Sequence, residues 1–306
     1  MNSQSVLFDL PGPKARARHN VLNALGVIAI LAFVVYAGWM LGRAGQLQPR
    51  LWTKVMEWGS WKYYFLPGLY YTTLAAVVSV ALALIFGVVF GVGRLSEFRL
   101  IRWVCGLVVE FFRAVPVLIL MIAAHNILGR GGYVLPKNSP LYAVIIGLTL
   151  YNGAVIAEPV RSGVYGLPRG QREAGLALGM SRTQSIRLIE LPQAIVAMLP
   201  ALISQFVIIL KDSALGYMVT YSELLQSARL LGTQNPLPIL QSLFVAAVLF
   251  IVLNYVLTVI ARFVTRFVDG RTSGRTRGPT QPPRASVTAP PIGVPLDQEP
   301  PREANA

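Results

Sequence analysis

Residues that build metal centres and disulfide bonds are almost missing from this chain. Its 306 residues include one cysteine and two histidines. The lone Cys105 excludes an intrachain disulfide bond and a cysteine-based metal site. His19 and His125 lie far apart in the sequence, which does not favour a histidine site. We therefore expect no bound metal.

Charged residues are also scarce. Only 13% of the residues are charged, whereas 54% are hydrophobic, and a typical soluble domain is about one quarter charged. The composition therefore predicts an integral membrane protein. The net charge of +14 would suggest nucleic acid as the partner of a soluble domain. Here the basic residues lie between and after apolar runs, where they indicate membrane topology instead. We expect the lipid bilayer, and no nucleic acid, as a partner.

A nucleotide-binding loop is missing as well. The sequence contains no G-x-x-x-x-G-K-[ST] pattern, the loop whose backbone amides and lysine hold nucleotide phosphates. We therefore expect that the chain does not itself hydrolyse ATP.

Long apolar runs dominate what is present. A bilayer core is crossed by about 20 apolar residues as a helix, because a helix satisfies its own backbone hydrogen bonds in lipid. The predicted fold is therefore an all-α membrane protein with about six transmembrane helices. The predicted spans lie at about 21–42, 66–93, 104–128, 141–160, 194–218 and 238–263.

Lysine and arginine are concentrated in alternate loops. Cytoplasmic loops carry an excess of these residues, and the basic side chains of 1–20, 94–103, 161–193 and 264–306 outnumber those of the opposite loops. Both termini are therefore predicted to be cytoplasmic, with 1–20 as a short N-terminal arm. The basic stretch before the first apolar run is similar to a signal peptide, but the run is too long for one.

Two segments outside the spans have distinct compositions. Residues 43–65 mix Trp, Tyr and Lys and are predicted to form an external or interfacial segment. Residues 266–306 are rich in Pro, Arg, Thr and Ser and are predicted to form a disordered cytoplasmic tail.

A short polar stretch, "EAGLALGMSRTQSIRLIELP", interrupts the apolar chain at 173–192. Gly179 suits the left-handed end of a first helix, and Ser181 with Gln184 has the spacing of a capping box that starts a second. Pro192 is expected to end that second helix. The predicted helix–turn–helix is either a docking module, where small residues let a partner approach closely, or an amphipathic connector on the lipid.

The spacing E173-A174-G175-x3-G179-x9-I189-x-L191-P192 resembles the EAA-x3-G-x9-I-x-LP motif of ABC-importer permease subunits, with Gly175 in place of the second alanine. In that family this loop is the coupling helix, which sits in a cleft on the ATPase subunit. The resemblance implies that the loop 161–193 docks an ATPase here. The residues implied in docking are Glu173, Ala174, Gly175, Gly179, Ser181, Ile189, Leu191 and Pro192.

The flanks resemble the polar amino-acid branch of that family, the glutamate, glutamine, histidine and arginine type. Residues 110–121, 151–174 and 191–215 carry its patterns, and the resemblance spans about 66–265. The chain looks most like actinobacterial glutamate permeases. This likeness implies a methionine-importer-like ABC permease fold in the transmembrane domain 66–265.

The resemblance implies the permease subunit of an ATP-driven importer of glutamate or another polar amino acid, in the bacterial cell membrane. It also implies that the chain is a transport subunit and not an enzyme, and that it binds no cofactor of its own. The implied partners are an ATPase subunit dimer that binds ATP and Mg, a second permease subunit, which is either a paralogue or another copy of this chain, and an extracytoplasmic substrate-binding protein. Two other classes stay open: an ATP-independent secondary transporter or channel, and a membrane-embedded adaptor that moves nothing.

Polar side chains in the spans are candidates for the translocation pathway, because ionisable groups at membrane depth face a cavity or a partner. Lys211 suits the carboxylate of an amino acid and Asp212 its ammonium, although pairing of Asp212 with another subunit is the alternative. Pro159 lies between two candidates and removes a backbone donor, which puts their helical spacing in doubt. The candidates are Glu158, Arg161, Gln205, Lys211 and Asp212.

Two further pairs are predicted to be structural. Glu110 and Arg113 are three residues apart and are expected to form an ion pair on one helix face. Gly87 and Gly91 form a small-xxx-small pattern, which is typical of helix packing in membranes.

Overall fold

The architecture is helical throughout the described chain. A computed structural model describes the backbone of residues 13–234 and 237–272, and its regular elements are α, 3-10 and π helices. Residues 266–272 of the predicted tail continue helix α12, and residues 13–20 of the predicted arm belong to helix α1. The rest of the tail and of the arm lies outside the described residues.

The α-helices are listed in chain order as α1 Pro13–Arg43, α2 Pro49–Met56, α3 Trp58–Ser60, α4 Leu66–Gly93, α5 Arg99–Ala114, α6 Val117–Arg130, α7 Ser139–Tyr165, α8 Arg169–Ala177, α9 Arg182–Ser185, α10 Leu191–Asp212, α11 Leu224–Gly232 and α12 Ile239–Thr272. Two π-helical turns join neighbouring helices, Trp61–Phe65 before α4 and Ile186–Glu190 before α10. A 3-10 helix, Ser213–Val219, follows α10.

Five continuous helical stretches of the described chain are long and apolar enough to cross a membrane, and a bent pair raises the number to six. This agrees with the predicted number of about six. The five are Ala17–Arg43, Trp58–Gly93, Pro136–Tyr165, Arg182–Val219 and Ile239–Arg266.

The predicted span at 104–128 is wrong as a single straight helix. Helices α5 and α6 meet there at an angle of 99°. Val115 has an extended backbone, with φ −85° and ψ 125°, because a proline disfavours helical geometry in the residue before it. Pro116 also lacks the N–H that would continue the helix. The break places the start of α5 at the same end of the bundle as the polar stretch 173–192.

Helix α7 is the centre of the bundle and packs against α4, α5, α6 and α10. Its closest approach to α4 depends on the predicted glycine pair. A Cβ on Gly91 would lie 2.7 Å from Cβ of Val160, and a Cβ on Gly87 would overlap Ile156. The prediction that Gly87 and Gly91 pack helices together is therefore confirmed.

Helix α7 also continues through Pro159 to Tyr165, five residues beyond the predicted end of this span at 160. Val160 packs against Gly91, and the side chain of Glu158 is held by ion pairs. These contacts on both sides of the proline stabilise the helix although one backbone hydrogen bond is lost. The i, i+3 spacing of Glu158 and Arg161 is kept.

A separate cluster of buried apolar side chains lies at the end of the bundle opposite the polar stretch 173–192. There α2, α11 and α12 meet the start of α4. Leu51 and Val55 of the predicted interfacial segment are buried there, and the rings of Trp52 and Phe244 meet edge to face at 5.7 Å. Segment 43–65 is therefore packed onto the bundle in part. Helix α1 instead has no buried residue in its most apolar window, which suits a helix surrounded by lipid.

Candidate functional site

The polar stretch forms two helices joined by a tight turn. Helix α8 ends in a Schellman motif, in which the N–H of Met180 donates to the carbonyl of Gly175 at 3.2 Å and that of Gly179 donates to Leu176 at 2.9 Å. Gly179 has φ +78°, the left-handed conformation that glycine adopts without strain. The prediction that Gly179 ends the first helix is confirmed.

The second helix starts with the predicted capping box. The N–H of Gln184 donates to Oγ of Ser181 at 3.3 Å, and the N–H of Ser181 donates to Oε1 of Gln184 at 2.8 Å. Two backbone donors at the helix start are thereby satisfied by side chains. The turn between α8 and α9 is thus defined on both sides by local hydrogen bonds.

The sequence suggested that the small residues of this turn face a partner. Gly175 instead faces the inside of the module. It is buried, and a Cβ there would lie 3.0 Å from Oγ of Ser185 and 3.1 Å from Cδ1 of Ile189. Glycine at this position lets α8 lie directly on the start of the second helix. Ala174 and Ala177 are the small side chains of α8 that remain exposed.

The chain does not turn at Pro192, so that part of the prediction is wrong. Residues Arg182–Val219 form one continuous helical stretch. The π-helical turn Ile186–Glu190 separates α9 from α10, and regular α-helical hydrogen bonding begins again at Leu191. Pro192 is therefore the second residue of α10, where a missing N–H is tolerated. The second helix of the polar stretch 173–192 is therefore continuous with a stretch that is long and apolar enough to cross a membrane.

A buried ion pair supports the π-helical turn. Glu190 is 2% exposed and accepts hydrogen bonds from Arg182 and, at 2.8 Å, from Oγ of Ser185. Sequence reasoning missed this group, because its partners lie five and eight residues away and the i, i+4 pattern does not reveal them. A lone acidic residue before an apolar run was the available signal.

The outer surface of this module carries three exposed leucines. Leu176, Leu178 and Leu188 are 45%, 77% and 66% exposed, whereas Ile186 is buried and Ile189 half-buried. Glu173, Ser181 and Pro192 are exposed, and Leu191 is half-buried. Exposed leucines on an ordered, capped turn form the kind of surface that a partner protein covers.

An ionic cluster lies beside this module, between α4, α5 and α7. Arg94 donates to Oε2 of Glu158 at 2.6 Å and lies 3.4 Å from Oε1 of Glu110, and Arg161 donates to Oε1 of Glu158 at 2.8 Å. The predicted pair of Glu110 and Arg113 is present at 3.5 Å. Arg94, which the sequence analysis did not select, joins both glutamates.

The five pathway candidates lie in three separate places. Glu158 and Arg161 belong to the ionic cluster, whereas Gln205 is buried and donates to Oδ1 of Asn152 on α7. Lys211 is exposed and Asp212 half-buried at the far end of α10, and neither has a side-chain hydrogen bond to another described residue. The structure therefore does not gather the five into one pocket.

The fold and the site together define the class of this protein. Residues 83–270 match the family described as "Binding-protein-dependent transport system inner membrane component". The chain belongs to this family. It is a multi-pass inner-membrane permease subunit, and its relatives are transport components and not enzymes.

The individual relatives are permeases named for amino-acid transport. Over 216 residues the chain is 50% identical to the "Glutamate transport system permease protein GluD" of Corynebacterium glutamicum, which covers 71% of this chain and 79% of that one. It is 30% identical to the "Glutamate/aspartate import permease protein GltK" of Escherichia coli, over 62% of this chain and 87% of that one. These matches lend no support to a secondary transporter or an adaptor.

Solved structures show the same fold. An amino-acid ABC transporter crystallised with histidines matches with a TM-score of 0.59 and 25% identity, over 66% of this chain and 92% of that chain. The inward-facing MetNI methionine ABC transporter matches with a TM-score of 0.55 and 23% identity, over 68% and 97%. The predicted methionine-importer-like fold is confirmed.

Proposed function

We propose that this chain is the permease subunit of an ATP-driven importer of glutamate or a closely related polar amino acid. One observation carries the proposal: half of the residues in a 216-residue alignment are shared with a permease named for glutamate transport. The second relative, named for glutamate and aspartate, favours an acidic amino acid as the substrate.

The proposed assembly contains two ATPase subunits, which bind ATP and Mg, a second permease subunit and an extracytoplasmic binding protein. The chain supplies the membrane pathway and performs no covalent chemistry. The capped α8–α9 turn is the proposed ATPase dock, and its support is the exposed leucine surface around Leu178. Glu173 and Gly179 hold matching positions of the family's coupling motif in the same turn.

The helical continuity from Arg182 to Val219 suggests how the dock drives transport. A displacement of α9 by the ATPases moves the start of α10 with it, because no flexible loop separates them. Gln205, on the same helix, is hydrogen bonded to Asn152 of the central α7. Movement of α10 against α7 is the proposed change between two access states.

The substrate is tested by uptake. Proteoliposomes containing the full chain, its ATPase and its binding protein are supplied with labelled glutamate and ATP. Unlabelled glutamate, aspartate, glutamine, arginine or histidine is then titrated as the competitor. Glutamate is expected to compete at least about ten-fold better than arginine or histidine, because a site built for a second carboxylate leaves charges unpaired with a cationic side chain. Stronger competition by arginine or histidine would contradict the proposal.

The dock is tested by Leu178→Glu, with Leu135→Glu as the matched control. Both leucines are well exposed, at 77% and 63%, but Leu135 precedes α7 at the opposite end. Leu178→Glu is expected to weaken co-purification of the ATPase by about ten-fold or more, because a charge is forced against an apolar contact. Equal recovery of the ATPase with both variants would refute docking at this surface.

A further inference from the structure

A cavity of about 850 Å³ opens beside the ionic cluster, between the start of α5 and the end of α7. It lies at the same end of the bundle as the docking module, because the neighbouring loop residues Glu97 and Phe98 form a second pocket with Arg182 and Arg187. Four arginines and two aromatic residues are prominent in its wall: Arg94, Arg99, Arg102, Arg161, Trp103 and Tyr165.

The positive charge of this cavity is only partly neutralised. Arg94 and Arg161 are paired with Glu158, and Arg94 also approaches Glu110. Arg99 forms no ion pair with a described residue, and Arg102 donates to a backbone carbonyl, that of Ser96, at 3.1 Å. Together with Arg113, the cavity and the ionic cluster contain five arginines and two glutamates, Glu110 and Glu158. Three positive charges are therefore in excess.

The start of α5 adds to the attraction for an anion. Its first turn contains no acidic residue and its N-cap, Phe98, makes no side-chain cap hydrogen bond. Arg99 and Arg102 occupy the first and fourth positions of this helix, where positive charge opposes the helix dipole. An anion between these side chains would reverse that unfavourable arrangement.

An apolar strip continues from the cavity along α5. Leu100, Trp103 and Leu107 follow one another at three and four residues, so they share a face, and they are 72%, 65% and 56% exposed. Tryptophan is enriched at the headgroup level of membranes. A small soluble anion would use the arginines and leave this strip uncovered.

We propose that this cavity binds the phosphate headgroup of an anionic phospholipid, whose acyl chains lie along the Leu100–Leu107 strip. Arg99 and Arg102 hold the phosphate, and Trp103 lies at the boundary between headgroup and chains. A second copy of this chain is a poorer occupant, because a symmetric contact through this face would bring like charges together.

The test compares lipid binding to the purified full chain by native mass spectrometry. Phosphatidylglycerol is titrated against the variant Arg99→Gln/Arg102→Gln. The control, Arg130→Gln/Lys137→Gln, removes the same charge at the end of the helical bundle that is distant from the cavity. The expected loss for the first variant is about 30-fold, since each cation near an anionic surface contributes about five-fold. The control is expected to bind as the unmodified chain does.

Three further arms keep the test decisive. Arg99→Lys/Arg102→Lys retains the charges and is expected to restore most binding, which separates a lost site from a lost fold. The unmodified chain is expected to prefer phosphatidylglycerol to zwitterionic phosphatidylcholine by at least about ten-fold, a result that needs no variant. Inorganic phosphate at millimolar concentration is expected to displace little lipid.

Equal binding of phosphatidylglycerol by the glutamine variant and its control would overturn the proposal. So would equal retention of the two lipids by the unmodified chain, or complete displacement by inorganic phosphate, which would indicate a soluble anion site. A change in oligomeric state without any change in lipid binding would assign the surface to a second copy instead.

Discussion

Glu223 caps the start of α11 from a fully buried position. Its two carboxyl oxygens accept hydrogen bonds from the N–H groups of Leu225 at 2.7 Å and Gln226 at 2.6 Å. Burial raises the pKa of Glu223 from 4.5 to about 7, although these two hydrogen bonds lower it in part. The cap therefore titrates near neutral pH.

The pKa of Glu223 predicts a pH-dependent stability. The folded state binds the proton more tightly than the unfolded state, so the free energy of unfolding falls as the pH rises from 4.5 to about 7. Glu223→Gln removes the titrating group and is expected to remove this slope. Any gain in stability above pH 7 is expected to stay below about 3 kcal/mol, because the glutamine oxygen can accept only one of the two backbone N–H groups.

Thermal unfolding of the detergent-solubilised chain at pH 5 to 8 checks this prediction. The control is Glu97→Gln, which removes an exposed carboxylate. Parallel pH profiles for Glu223→Gln and the unmodified chain would show that Glu223 does not titrate in this range.

Gly91 makes the contact between α4 and α7 possible. A Cβ would lie 2.7 Å from Cβ of Val160 and 2.9 Å from the backbone oxygen of Ala157, and the backbone atom is not free to move aside. Gly91→Ala is therefore expected to destabilise the protein by about 1–3 kcal/mol. The thermal midpoint is the measurement.

Gly26→Ala is the matched control for Gly91→Ala. Gly26 lies within α1 and a Cβ there has nothing within 4 Å, so alanine is expected to be neutral or slightly stabilising. If both variants unfold at the same temperature, the close approach of α4 and α7 is not what requires glycine at 91.

At the scale of elements, the junction between α9 and α10 is the unusual feature. A π-helical turn lies between the proposed dock and the membrane span, and π turns are frequent at functional sites. The ion pair of Arg182 and Glu190 spans this turn, and the two side chains are 14% and 3% exposed. The pair therefore holds α9 in line with α10.

Removal of one partner of this pair is expected to be costly. Glu190→Ala leaves the half-buried guanidinium of Arg182 without its carboxylate, with an expected loss of about 3–5 kcal/mol at most. The double variant Arg182→Met/Glu190→Leu removes both charges and is expected to recover most of that stability. Because the ion pair across the π-helical turn is missing in it, its ATP-driven uptake is expected to stay reduced.

A double-mutant cycle on thermal stability, with ATP-driven uptake measured in parallel, tests this expectation. Additive losses from Arg182→Met and Glu190→Leu would mean that the two side chains do not act as a pair. Full uptake by a stable double variant would mean that the junction is not needed for coupling.

In the bent pair α5–α6, a single proline divides one apolar run into two helices. The apolar run at 104–128 is long enough for a span, and length alone predicts one helix. Pro116 and the extended Val115 divide it, and the N-terminal half then carries Arg99 and Arg102 to the cavity. The proline was visible in the sequence, but whether it kinks or breaks a helix depends on the packing around it.

At the scale of the whole molecule, α7 organises the bundle because it packs against four other helices. Its polar residues serve different neighbours: Asn152 bonds to Gln205 of α10, whereas Glu158 binds Arg94 next to α4. Residues six apart on a helix point in different directions. The candidates Gln205 and Glu158 are therefore held by different neighbours of α7, and they are separate in space.

The sequence by itself determined the class of fold, the number of spans, the glycine contact and the capped turn. These depend on apolar length, on residue spacing and on hydrogen bonds between residues three to five apart, all of which are local. Gly179 with Ser181 and Gln184, for instance, needs no tertiary information to specify its turn.

Only the tertiary structure decided which distant residues meet. Arg94 and Glu158 are 64 positions apart, Gly175 faces inward because α8 lies on Ile189, and Pro192 continues a helix because a π-helical turn precedes it. The arginine cavity likewise requires the bend at Pro116 and the end of α7 together. Such contacts depend on how helices pack, and no local pattern encodes the packing of segments that are far apart in the chain.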